Sequence, residues 1–176
     1  MSTSPPSTQS AAARRAAGAE LRTLVATFAP KNERLIAAVR RALRKRLPTA
    51  HEVVYEYRDC FVISFSPNER GYEGVLSIRG SADGVKLYFN GGKGMKDPEK
   101  LLQGSANQVR WIGVEGARTL ARPAVARLID EAIARNRVQF DGAGRGSVVI
   151  RSTAAKKRRP RRTAGARVEP TVRGKP

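Results

Sequence analysis

The scarcest side chains bound what chemistry this chain can do, and here they are a single histidine, His51, and a single cysteine, Cys60. Nucleophilic catalysis needs a nucleophile, a base within hydrogen-bond reach and a group that orients the base. Any Ser–His or Cys–His site would have to use His51. That residue follows Pro48, which ends a helical pattern, so a partly exposed loop histidine is expected. Cys60 opens a strand pattern and reads as ordinary strand packing. A lone cysteine excludes an intramolecular disulfide and suits a reducing cytosol. Zinc requires closely spaced Cys and His ligands, and there are too few. Carboxylates could hold a hard cation or iron. Glu52 and Glu56 fall on one strand face with Asp59 nearby, so these three are the candidates for metal, set against alternating charges on a solvated face.

The glycine clusters carry no cofactor motif. Gly91-Gly92-Lys93-Gly94 lacks P-loop spacing. Gly142-Ala143-Gly144-Arg145-Gly146 is not G-x-G-x-x-G, and it precedes a strand rather than opening a helix. No cofactor is expected and no catalytic residue stands out, so the chain reads as a non-enzyme.

Charge is the stronger signal. The formal net charge is +19. Residues 152–176 hold nine basic residues against Glu169, whereas residues 20–151 hold 23 basic and 14 acidic residues. The run Lys156-Lys157-Arg158-Arg159-Pro160-Arg161-Arg162 places six cations in seven residues. Such a segment can follow a phosphate backbone and displace its counterions. It has no interleaved aromatic, so it cannot stack on bases, and attachment would be independent of sequence. The alternative is a tail that only solubilises. A competing place for polyanion binding is the Arg40–Arg46 helix face.

The elements that would position these groups follow from periodicity. Leu21, Leu24, Val25 and Phe28 form a helical stripe ended by Pro30, and a second runs from Asn32 through Leu35, Ile36, Val39, Leu43 and Leu47. Arg40, Arg41, Arg44, Lys45 and Arg46 occupy its remaining positions. Period-two alternation then marks strands at Val53–Tyr57, Cys60–Phe65, Val75–Arg79 and Val85–Phe89, the last two joined by the turn Ser81-Ala82-Asp83-Gly84. Asp97-Pro98 predicts a capped short helix closed by Gly104. A strand at Val109–Val114, a helix at Pro123–Arg137 and a strand at Val148–Ile150 complete the order. The fold class is α+β: an antiparallel sheet of about five to six strands with helices packed on one face. The domain is expected over residues 19–152, between a disordered segment 1–18 and a disordered basic tail 153–176, both too poor in apolar residues to offset their ordering entropy. With no apolar run of about 18 residues and no signal-peptide core, a cytoplasmic protein without membrane partners is expected.

One set of residues resembles a known family. Tyr57-Arg58-Asp59-Cys60-Phe61, Phe65-Ser66-Pro67, Lys86-Leu87-Tyr88-Phe89, Gly92, the run from Asp97-Pro98 through Leu101-Leu102 to Gly104, and Val109-Arg110 are together similar to the YdhG-like family over roughly residues 20–140. The resemblance implies a compact α+β domain, and some relatives are described as frataxin-like iron chaperones. It supplies no catalytic residue. Met95 stands where leucine is usual, and Trp111 where a smaller ring or histidine is usual. Arg110 alone has no structural duty in this pattern, which leaves an ion pair or an anion contact. Three functions are therefore expected in order: a YdhG-like module attached to polyanions such as nucleic acid, then frataxin-like iron handling, and as a distant third a small hydrolase or transferase. The +9 of residues 20–151 disfavours the second.

Overall fold

A carboxamide and a hydroxyl begin the ordered framework. In the computed structural model, which describes residues 9–140 and 142–152, Gln9 donates from Nε2 to the carbonyl of Val148 at 2.8 Å and accepts from its N–H at 2.9 Å. Ser10 then caps α1 (Ala11–Phe28), its hydroxyl accepting from the Ala13 N–H at 3.1 Å. The expected domain boundary at residue 19 is corrected: residues 11–18 are the first turns of this helix. Alanine has the highest helix propensity, and a serine N-cap satisfies an otherwise orphaned donor. This stretch is therefore helical without offering an apolar stripe. Residues 1–8 and 153–176, including the clustered tail cations, lie outside the described residues.

A 3-10 turn (Pro30–Asn32) leads into α2 (Glu33–Arg46), which buries Ile36, Val39 and Leu43. Arg44, Lys45 and Arg46 fill its last turn, where cations complement the helix dipole. Six strands follow: β1 (His51–Glu56), β2 (Cys60–Ser66), β3 (Leu76–Ser81), β4 (Gly84–Phe89), β5 (Arg110–Gly113) and β6 (Val148–Ser152). Their order is β5-β4-β3-β2-β1-β6. The first five pair antiparallel in sequence order. β6 pairs parallel to β1, so the sheet is mixed rather than purely antiparallel. The reason is distance. Strands β5 and β6 lie at opposite edges, about 24 Å apart at strand spacing. The 13-residue helix α3 (Pro123–Arg135), about 20 Å long, lies on the connection that carries the chain from one edge to the other.

One sheet face supplies the core. Val54, Phe61, Ile63, Phe65, Ile78, Leu87 and Phe89 gather with Leu21 of α1, Ile36 and Leu43 of α2, and Leu128 and Ile129 of α3. At Gly80 on β3, an added Cβ would lie 2.5 Å from the Phe61 ring and 3.1 Å from Ile36 Cδ1. The absent side chain is what lets α2 approach. Among the described residues no helix is long and apolar enough to cross a membrane.

The short helix expected from Asp97 to Gly104 does not form. Asp97 does cap, its two carboxylate oxygens accepting from the N–H groups of Leu101 at 2.9 Å and Leu102 at 2.7 Å. Lys100, however, takes φ +52, a left-handed conformation that prevents the turn from propagating. Gln103 exchanges backbone hydrogen bonds with Trp111 instead, at 2.8 and 3.0 Å. Asp97→Ala should therefore lower stability by about 2 kcal/mol. The measure is a lower urea midpoint at unchanged slope; an unmoved midpoint would show that the loop holds without the carboxylate.

Candidate anion-binding groove

The helix face that carries Arg40 and Arg44 lies beside a buried carboxylate. These two arginines are one helical turn apart and so share a face of α2. Glu52 enters β1 with its backbone N–H on the Ser147 carbonyl at 2.8 Å, and is only 2 % exposed. Arg40 donates to it through Nε and, at 3.2 Å, through Nη2; Arg44 Nε lies 3.3 Å away. These arginines are thus not merely the solvated side of an amphipathic helix.

Two further guanidiniums approach the same place. Arg14 comes from the first turns of α1, and its Nη1 is buried without a hydrogen-bond partner among the described residues. Burial first, then the neighbouring charges of Arg145 and Arg44, hold the Arg14 guanidinium below the ordinary arginine range, with Glu52 opposing them. Arg145 comes from the loop before β6. The next residue, Gly146, runs so close to the start of β1 that an added Cβ would sit 1.8 Å from the Ala50 carbonyl oxygen. Only glycine permits that approach, and it brings the loop, with Arg145, to the helix. The result is a groove of about 670 Å³ lined by Ala37, Arg40, Arg41, Arg44, Lys45, Pro48 and Arg145. Arg46 is turned away into a 2.6 Å ion pair with Asp130.

Chemically, such a groove can receive an oxyanion. Guanidinium presents planar, paired donors that match phosphate or carboxylate. Arg40 and Arg44 hold the Glu52 carboxylate, and Arg14 and Arg145 lie near enough to add their charge, so positive charge is in excess and Arg14 keeps an unmet donor. Sequence periodicity had singled out the Arg40–Arg46 face. It missed Arg14, hidden in an alanine-rich run, and Arg145, hidden in a glycine-rich loop. The Ser10 cap ahead of an unbroken alanine-rich stretch was the available signal for Arg14.

Glu52 and Glu56 do share a face of β1, but Glu52 is engaged by arginines and Asp59 lies exposed in the β1–β2 turn. Among the described residues no three His, Cys, Asp or Glu side chains gather in a metal-holding group. Cys60 is a buried free thiol on β2. Arg110 donates to the carbonyls of Ala106 at 2.6 Å and Val109 at 2.8 Å, so it pins its own loop and forms no ion pair among the described residues.

His51 corrects the expectation of an exposed loop residue: it is 7 % exposed, on β1. Its Nδ1 lies 2.7 Å from Ser147 Oγ, which donates to Glu69 Oε1 at 2.7 Å. Here the serine sits between histidine and carboxylate. A nucleophilic relay needs the histidine in the middle, and Ser147 is 1 % exposed. The trio pins the loop before β6 to the strand beside it.

Glu52→Gln should leave the guanidiniums without their counter-charge and lower stability by about 3 kcal/mol. Part of that loss should return on adding inorganic phosphate, because a ligand held only by the folded state stabilises by mass action. Thermal melts of both proteins across a phosphate series provide the check; an equal phosphate effect on the two would show that these guanidiniums do not receive the anion.

Compared with models of protein families, with curated proteins and with solved structures, the chain matches none.

Proposed function

We propose that the protein is a non-enzymatic, YdhG-like module that attaches to nucleic acid or a similar polyanion without reading its sequence. The observation that carries this is the groove: five cationic side chains line it, and Arg14 behind them keeps a buried donor without a partner. Phosphate contacts of this kind position a protein on a nucleic acid and carry no base information. The tail cations Lys156, Lys157, Arg158, Arg159, Arg161 and Arg162 add a second, sequence-independent grip on the same kind of ligand. The iron-handling alternative gains no support from the geometry, since Glu52 is already neutralised by two arginines.

Unrelated DNA duplexes should bind about equally, with dissociation constants on the order of 10⁻⁴ to 10⁻⁶ M near physiological salt. Each phosphate contact contributes about −0.9 to the slope of log K against log salt, and the whole chain should give roughly −3 to −5. Removing residues 153–176 should flatten that slope. Arg41→Ala with Lys45→Ala, both exposed groove positions, should flatten it further by nearly two units. Fluorescence anisotropy with two unrelated duplexes gives the answer; strong preference for one duplex, or no binding at all, would sink the proposal.

A further inference from the structure

The sheet face opposite the core carries a different surface. One register row crosses all six strands as Arg151, Tyr55, Val62, Arg79, Lys86 and Gly113. All of these are half-buried or exposed. The neighbouring row ends in Tyr88 and Trp111 on β4 and β5. Just beyond β1, Tyr57 continues the Tyr55 side and is 49 % exposed. The two tyrosine rings lie 6.5 Å apart, tilted by 33°. The Lys86 ammonium sits 3.8 Å from the centre of the Trp111 ring. Among the described residues no aspartate or glutamate projects from a strand onto this face.

Its border is covered at both edges: Gly104 lies against the Trp111 ring at the β5 edge, where an added Cβ would be 3.1 Å from the indole, and Arg151 at the β6 edge donates to the Glu69 carbonyl at 2.6 Å. The segment 68–74 lies across the Val53–Ser64 end, where the Gly71 carbonyl accepts from Ser64 Oγ at 3.3 Å and the Arg70 carbonyl from Tyr55 at 3.5 Å. The carboxylates of that segment are occupied, Glu73 by Asn68 and Glu69 by Ser147. The same segment raises Tyr72, 74 % exposed, at the rim, with Arg70 donating to its hydroxyl at 3.3 Å.

We propose that this face is a stacking platform for single-stranded nucleic acid. The inference rests on the chain being a nucleic-acid module, but it uses a separate surface from the groove. Three cations in one row, with no strand carboxylate among them, favour a polyanion. Aromatic rings beside those cations favour one whose bases are unpaired, because a duplex keeps its base faces inside while a single strand can lay them on a ring. The row spans about 24 Å, enough for a short segment at the low end of single-strand site sizes, about four nucleotides.

Trp111 is the only tryptophan, so its fluorescence reports this face alone. The full chain should be titrated with a thymidine dodecamer, with an abasic strand of equal length and charge, and with a duplex. Expected results are Trp111 quenching by the dodecamer alone and binding of the abasic strand about tenfold weaker. Tyr57→Ala should weaken dodecamer binding by about tenfold and Tyr57→Phe should preserve it, while duplex affinity stays unchanged in both. Arg41→Ala with Lys45→Ala should lower duplex affinity and leave the quenching intact. Equal binding of abasic strand and dodecamer without quenching would overturn the platform, even where duplex binding shows the groove to be active. Failure of duplex binding together with retained quenching would instead overturn the groove and leave the platform standing.

Discussion

Burying Glu52 next to β2 and β6 would cost several kcal/mol if the carboxylate stood alone, and much of the surrounding architecture meets that cost. Arg40 and Arg44 reach it from α2, which fixes how that helix lies against β1. The Ser147 carbonyl takes its backbone N–H, which brings the loop before β6 to the same point. Two elements distant in sequence are thereby tied to one strand by a single side chain and its backbone. Arginine suits the task better than lysine, because its fork satisfies both carboxylate oxygens at once.

That solution overshoots. Neutralising one carboxylate needs one cation, yet Arg14 and Arg145 are held there as well, close enough for their mutual repulsion to lower the Arg14 proton affinity. A purely structural ion pair gains nothing from such crowding. An excess of fixed positive charge with an unmet donor costs stability in the free protein, and an anion bound there would relieve it. On the core-facing side of the sheet this charge gathers with α1 and α2, while the other side carries Arg79, Lys86 and Arg151 in one register row with Tyr55.

What could be seen in the sequence depended on whether the cause was local. The hairpins were legible because alternation at Phe61, Ile63 and Phe65 and the turn at Ala82-Asp83 are short-range properties. α2 was legible through its apolar stripe. The start of α1 was not, since alanines show no preference for a face, and the Gln9 contact that fixes it lies 139 residues away in sequence. The direction of β6 was hidden for a similar reason: a short run of valines and isoleucine reads the same in either orientation. Asp97 was correctly seen as a cap, but the left-handed turn at Lys100 that follows it is dictated by the pairing of Gln103 with Trp111. Of the groove, the α2 arginines were visible and their partner was not, because nothing in β1 marks Glu52 as buried.

The Gln9 carboxamide has an effect on assembly. An edge strand offers a ladder of unpaired backbone groups to which another chain can add itself, and proteins commonly protect such edges with charge or cover. On β6, Gln9 fills the donor and acceptor of Val148 with a side chain that imitates a neighbouring strand yet cannot continue as one. Arg151 further along puts charge on the same strand. Growth of the sheet is thus stopped at its first rung on that side, and fibril-like stacking of copies through β6 would first have to pull the N-terminal end of α1 off the domain.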